Sequence, residues 1–198
     1  MKNCINYERI VLAKQFYNSN GFKYIDLPWT CTRMATNITL PVGFNAFSLT
    51  GQNPFPFMNS DLVGSGEQSF LQMMINDALP EGRYCGITPC FRDEIEDEIH
   101  GKYFLKLELI DTRKFKTEEM KASALHLMIK MAENFHKKWI KCIKVEIEKM
   151  SYDLLEKTSR VEVGSYKAMM NSGFEWICGT GLAEPRLSIV ERETKLKK

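Results

Sequence analysis

The chain has 198 residues, is 44% apolar and 26% charged, and carries a formal net charge of +2. That size and apolar fraction suit one globular domain with a real core, expected over residues 1–198, and exclude a disordered tail. The small net charge makes no case for nucleic-acid binding by itself, and no apolar run reaches the roughly 18 to 20 residues that span a bilayer.

The start, Met1-Lys2-Asn3-Cys4, lacks the apolar region of a signal peptide, so a soluble cytoplasmic protein without a membrane partner is expected. Cys4, Cys31, Cys85, Cys90, Cys142 and Cys178 are scattered with no CxxC pair, which reads as reduced, mostly buried thiols.

The first element is a helix from about Tyr7 to Asn18, with Ile10, Ala13, Phe16 and Tyr17 on one stripe and Asn20-Gly21 as its stop. A strand from Phe22 to Leu27 ends at Pro28. Proline donates nothing to a ladder, so it suits a strand end or edge and marks this unit as a candidate interface. Trp29 to Gly66 reads as loops with short strand-like pieces at Ile38 to Leu40 and Phe44 to Leu49. Ser65 and Gln68 have capping-box spacing and open a helix to about Leu79, which Pro80-Glu81-Gly82 ends.

Tyr84 to Cys90 and Tyr103 to Thr112 read as antiparallel strands. In the second, Phe104, Lys106, Glu108 and Ile110 share one face, while Tyr103, Leu105, Leu107 and Leu109 share the apolar one. Arg92 and Glu94 follow the first strand, and His100 and Phe104 lead into the second. An arginine offers a planar fork to phosphate oxygens, a carboxylate accepts from an exocyclic amine, and a ring stacks on a base. One hairpin thus holds the chemistry to grip ATP.

A long helix from about Thr117 to Trp139 places Ala122, Leu125, Met128, Met131, Ala132, Phe135 and Trp139 inward, with Glu118 and Glu119 in its first turn. Strands follow near Ile143 to Ile147, Arg160 to Val163 and Phe174 to Gly179. Gly179 to Val190 reads as a glycine-punctuated strand end feeding a helix, where small residues allow close approach of a ligand and Arg186 can reach phosphate.

Taken together, these units resemble the three signature motifs of the class II aminoacyl-tRNA synthetase catalytic core. The first helix with Gly21 to Pro28 resembles motif 1. Phe91-Arg92-Asp93-Glu94 with His100 and Phe104 resembles motif 2. Gly179 to Arg186 resembles motif 3, with Ala183 in place of its third glycine. The resemblance covers roughly residues 3 to 192 and implies an α+β fold, an antiparallel sheet flanked by helices, shared with biotin synthetase-like proteins.

It implies that Arg92 contacts the α-phosphate and the substrate carboxylate, where charge develops. Glu94 would orient ATP through the adenine amine, Phe104 would stack on adenine, and His100 would approach the terminal phosphates. Arg186 would stack on the other adenine face and neutralise the γ-phosphate, or else pair with Glu184 or Glu191. Ser65-Gly66-Glu67 resembles the loop by which several members hold an amino acid's ammonium through its glutamate; Glu67 alternatively serves only as a first-turn acid. Mg2+ would screen the phosphates from Glu108 or Glu162. Zinc on Cys178, Glu108 and Cys85 is not expected, because the Cys178 to Arg186 spacing is one residue long for it.

The implied reaction is ATP-dependent activation of a small carboxylate, an amino acid by resemblance, to an acyl-adenylate. Homodimerisation through motif 1 is also implied. The chain leaves no room for an anticodon-binding domain, and Asp93, Glu94, Glu96, Asp97 and Glu98 would repel tRNA phosphate. A cluster of lysines from Lys114 to Lys144 reads either as the solvated face of the long helix or as a docking patch. Two classes remain open: a ligase passing its acyl group to tRNA or to a non-tRNA acceptor such as a carrier protein, and a catalytically silent dimeric paralogue that binds a partner or nucleic acid.

Overall fold

The structure is a computed structural model that describes residues 4–40, 45–49, 60–93, 97 and 101–196. Glu94 and His100, both expected at the site, and most of the acidic loop lie outside the described residues. Helix α1 (Tyr7–Ser19) is capped by Asn6, whose side chain accepts from the Arg9 N–H at 3.0 Å. Strand β1 (Lys23–Tyr24) is shorter than the expected Phe22 to Leu27, because it pairs only with Tyr84 and Cys85.

After β2 (Thr30–Thr32) the chain forms α2 (Arg33–Thr39), a helix that takes in Ile38 and Thr39 from the expected strand-like piece. Thr32 caps it, and a short apolar run cannot by itself tell helix from strand. Strands β3 (Ser48–Leu49) and β4 (Ser60–Leu62) join β2 in a small sheet of order β2-β4-β3. Helix α3 (Gly66–Ile75) departs from the expected capping box. Ser65 Oγ accepts from the Glu67 N–H, while Gln68 Oε1 turns back to the Gly64 N–H at 2.8 Å.

Strands β5 (Arg83–Phe91) and β6 (Tyr103–Asp111) form the expected hairpin, with Cys90 opposite Phe104. Helix α4 (Glu118–His136) buries Leu125, Met128, Ile129, Ala132 and Phe135. It also buries Lys121 and His136, whereas Ala122, Met131 and Trp139 of the expected stripe are only half-buried. Strand β7 (Cys142–Glu148) is followed by β8 (Ser151–Glu156), which the sequence reading missed because its Leu154-Leu155 doublet interrupts a simple alternation. Strand β9 (Glu162–Asn171), strand β10 (Phe174–Glu184) and helix α5 (Arg186–Leu196) complete the order.

Seven strands form one sheet in the order β1-β5-β6-β10-β9-β8-β7, antiparallel except for the β1 to β5 pair. One face carries α1, α4 and α5, where Tyr17, Leu125, Phe135, Leu187 and Val190 pack on Leu107, Leu109, Tyr166 and Leu182. Part of the other face is covered by α2, α3 and the small sheet, through Phe70 and Leu71 against Tyr84, Ile110, Trp176 and Cys178. The alternation of β6 therefore divides two ways: Leu107 and Leu109 enter the helical core, and Ile110 enters the second.

Between Thr180 and Leu182 the register of β10 against β6 slips by one residue, leaving Gly181 as a bulge. The carbonyls displaced there are met by buried hydroxyls: Tyr17 donates to Gly181 O at 2.8 Å and Tyr166 to Thr180 O at 2.6 Å. Each phenol is pushed well above its usual range, first by burial. A Cβ at Gly181 would stand 2.6 Å from Leu107 Cδ2 and 2.8 Å from Tyr17 Cε2; at Gly179 it would stand 2.2 Å from Tyr166 Cδ1. On the side toward the helices, the room these glycines leave is filled by core side chains.

Candidate active site

The uncovered part of the sheet opposite the helical layer forms a cleft of about 760 Å³. Its floor is Lys106 and Glu108 of β6, Glu162, Ser165 and Lys167 of β9, and Cys178 to Thr180 of β10. Its walls are Gly64, Ser65, Glu67 and Gln68, the β5 end with Arg92 and Asp93, and Arg186 of α5. Of the expected residues, Arg92, Glu67, Glu108, Glu162 and Arg186 therefore converge.

Arg92 is held at its base. Its backbone N–H donates to Lys102 O at 2.9 Å and its Nε to Gly64 O at 3.1 Å, which fixes the plane of the guanidinium at the cleft wall. The guanidinium carbon lies 5.1 Å from the Phe104 ring centroid. Phe104 belongs to neither core, although it is absent from the described cleft lining.

The turn Ser65-Gly66-Glu67 builds the centre. Gly66 carries no side chain where Glu108 passes: a Cβ there would stand 2.7 Å from Glu108 Cγ. Glu108 Oε1 accepts from Ser65 Oγ at 2.8 Å and from Lys106 Nζ at 3.2 Å, and Lys106 Nζ also reaches Thr180 Oγ1 at 3.2 Å. Arg186 NH1 meets Glu162 Oε1 at 3.4 Å. The alternatives for Arg186 are closed off, since Glu184 and Glu191 both pair with Arg9 of α1.

Glu67 is buried and engaged at both oxygens. Trp176 Nε1 donates to Oε1 at 2.8 Å, Cys178 Sγ to the same oxygen at 3.0 Å, and Lys167 Nζ lies 3.4 Å from Oε2. Burial raises the Cys178 thiol well above its usual range, with Glu67 beside it adding to the effect, so the sulfur is a neutral donor here. Burial pulls the Lys167 ammonium down, but Glu67, Cys178 and Glu108 together more than offset this, and its pKa is raised.

The zinc set has no geometry to rest on. Cys85 packs in the helical core and Cys178 in the other, on opposite faces of the sheet. Among the described residues no group of three or more His, Cys, Asp or Glu side chains converges as a metal site.

Sequence reasoning missed Lys167, Trp176 and the positioning role of Lys106. For Lys106 the signal was present, since it alternates between Phe104 and Glu108. Lys167 lay beyond the strand as read, which stopped at Val163, and nothing in the local pattern connects it to Glu67 a hundred residues earlier.

This sheet and its helices are the fold of the class II aminoacyl-tRNA synthetase catalytic domain, an α+β architecture. A cytoplasmic serine-tRNA ligase from Naegleria fowleri in complex with AMP superposes with a TM-score of 0.69 at 18% identity, covering 90% of this chain and 47% of that one. Seryl-tRNA synthetase from Pyrococcus horikoshii complexed with ATP gives 0.70 at 15%, over 91% of this chain and 48% of that one. The pyrrolysyl-tRNA synthetase PylSc from Desulfitobacterium hafniense gives 0.69 at 16%, over 94% and 69%. The chain thus spans about half the length of the two seryl enzymes. No protein-family profile matches it. In sequence it is 27% identical over 97 residues to the salt stress-responsive protein YocM of Bacillus subtilis, covering 46% of this chain and 61% of that protein. No described helix is long and apolar enough to cross a membrane.

Proposed function

We propose that the chain is an adenylate-forming ligase: it binds ATP in the β6–β9–β10 cleft and joins a small carboxylate to the α-phosphate with release of pyrophosphate. The observation that carries this reading is the gathering of Arg92, Lys106, Lys167 and Arg186 on one cleft, each held by a neighbouring group. Arg92 would hold the α-phosphate and the attacking carboxylate together, a placement that favours the charge of the pentavalent transition state over the ground state. Its restrained base means little reorganisation at that moment. Phe104 would back the adenine with Glu94 and His100 nearby, and Arg186 would neutralise the γ-phosphate by leaving Glu162.

Mg2+ suits the oxygen donors of Glu108 and Glu162, both on the cleft floor, and would supply charge screening for the phosphates. Glu108 is already shared with Lys106 and Ser65, so Glu162, which is more exposed, is the better placed of the two. A homodimer through α1 is part of the proposal, because Tyr7, Val11 and Leu12 stand exposed on its outer face. The acceptor would be tRNA or a non-tRNA group such as a carrier protein.

A second reading, a silent paralogue that binds a partner, draws on the pairing of Lys106, Lys167 and Arg186 with acids of the same cleft. Pyrophosphate exchange separates the two. Exchange with one acid, lost in Arg92→Ala, is the expected result. No exchange, with no ATP-induced thermal shift, refutes the ligase.

A further inference from the structure

One corner of the cleft shows a charge opposite to the one its acidic residue suggests. Glu67 is only 7% exposed, and its two oxygens are taken by Trp176, Cys178 and Lys167. The Lys167 side chain, by contrast, remains 30% exposed and lines the cleft. Its ammonium has three donors, and Glu67 occupies one direction. An incoming molecule therefore meets a partly open cation beside a nearly closed carboxylate.

A ligand ammonium that took the place of Lys167 on Glu67 Oε2 would have to expel it. That exchange replaces one ammonium with another and leaves Lys167 in a half-buried place without its counter-charge, so it gains little and costs desolvation. An oxygen acceptor costs nothing of the kind: it takes a charge-assisted hydrogen bond from Lys167 while the Glu67 pair stays intact. Ser165 and Thr180 beside it add hydroxyls of either polarity.

Resting on the adenylate-forming reading above, we infer that Lys167 selects a carboxylic acid bearing an oxygen acceptor, and no free ammonium, next to its reacting carboxylate. Substrates of this class are 2-oxo acids, 2-hydroxy acids and short dicarboxylates. Lys167 is then a specificity-determining residue and Glu67 a positioning one, held by the Trp176 indole so that it in turn holds the lysine.

The test compares matched acids with ATP and Mg2+: alanine, lactate and pyruvate; aspartate, malate and oxaloacetate; phenylalanine, phenyllactate and phenylpyruvate. Thermal stabilisation and pyrophosphate exchange are read together. A hydroxy or oxo member is expected to exceed its amino partner by about tenfold or more, the weight of one hydrogen bond to a charged group. Lys167→Met should lose that preference and Lys167→Arg should keep it, with circular dichroism and the melting temperature without ligand reporting that both variants fold. Preference for an amino acid, lost in Glu67→Gln, overturns the inference and leaves the ligase reading standing. ATP stabilisation with no response to any acid overturns the inference as well. Absence of any ATP response instead sinks the ligase reading, and the inference with it.

Discussion

Arg9 of α1 and Glu184 at the end of β10 form an ion pair of 2.9 Å with side chains 6% and 0% exposed. Glu191 and Ser188 of α5 complete the cluster, and the Arg9 guanidinium lies 4.6 Å from the Trp139 ring centroid. The pair anchors the chain at Glu184, two residues before Arg186, where α5 begins. Removing one partner leaves a charge buried alone, so Arg9→Met should cost about 3 to 5 kcal/mol in urea unfolding. The double variant Arg9→Met, Glu184→Gln should recover part of that. A single-variant loss under about 1 kcal/mol would contradict this account.

His136 supplies the acid sensitivity. Its Nδ1 faces Ala132 O at 2.8 Å and therefore donates, while Nε2 is buried without a hydrogen-bond partner among the described residues. Burial lowers its pKa from 6.5 to about 4, with the Ala132 carbonyl opposing and Arg9 assisting. As pH falls from about 6.5, the unfolded chain takes up a proton that the folded chain refuses, so stability is lost down to about pH 4. The size is about 3 kcal/mol. Urea midpoints measured across that range should show a shallower slope in His136→Leu than in the wild type.

Gly181→Ala tests the bulge. The added methyl meets Leu107 Cδ2 at 2.6 Å and Leu107 O at 3.1 Å, and a backbone atom cannot rotate away. A loss of about 1 to 3 kcal/mol is expected, and an unchanged melting temperature would remove the packing explanation for this glycine.

Arg186 and Glu162 separate two roles for one carboxylate. If Glu162 only parks the arginine, Glu162→Gln releases a competitor and ATP binding, followed by titration calorimetry, stays equal or tightens. If it carries Mg2+, the same change weakens Mg2+-ATP by about tenfold, the scale of losing a charged ligand contact. Arg186→Ala should weaken ATP in either case; retention of full affinity would exclude it from the site.

Elements with long, regular patterns were legible. The α1 stripe of Ile10, Ala13 and Tyr17, the two-faced alternation of β6, and the run into α4 each carry their own periodicity, and each formed where expected. Short pieces were not. α2 was read as partly strand, and β8 was missed, because seven or six residues hold too few repeats to separate the two periods.

Arg92 and Arg186 were visible as chemistry in the sequence because each stands at the end of a strand or start of a helix, where position is set locally. The state of Glu67 was not visible. Its partners Lys167, Trp176 and Cys178 sit on β9 and β10, brought beside α3 only when the sheet closes. The sequence alone determined the long elements, the hairpin and several of the charged residues that gather in the cleft. Only the tertiary structure decided which charge the cleft presents, because that depends on long-range pairing of side chains, which no local period encodes.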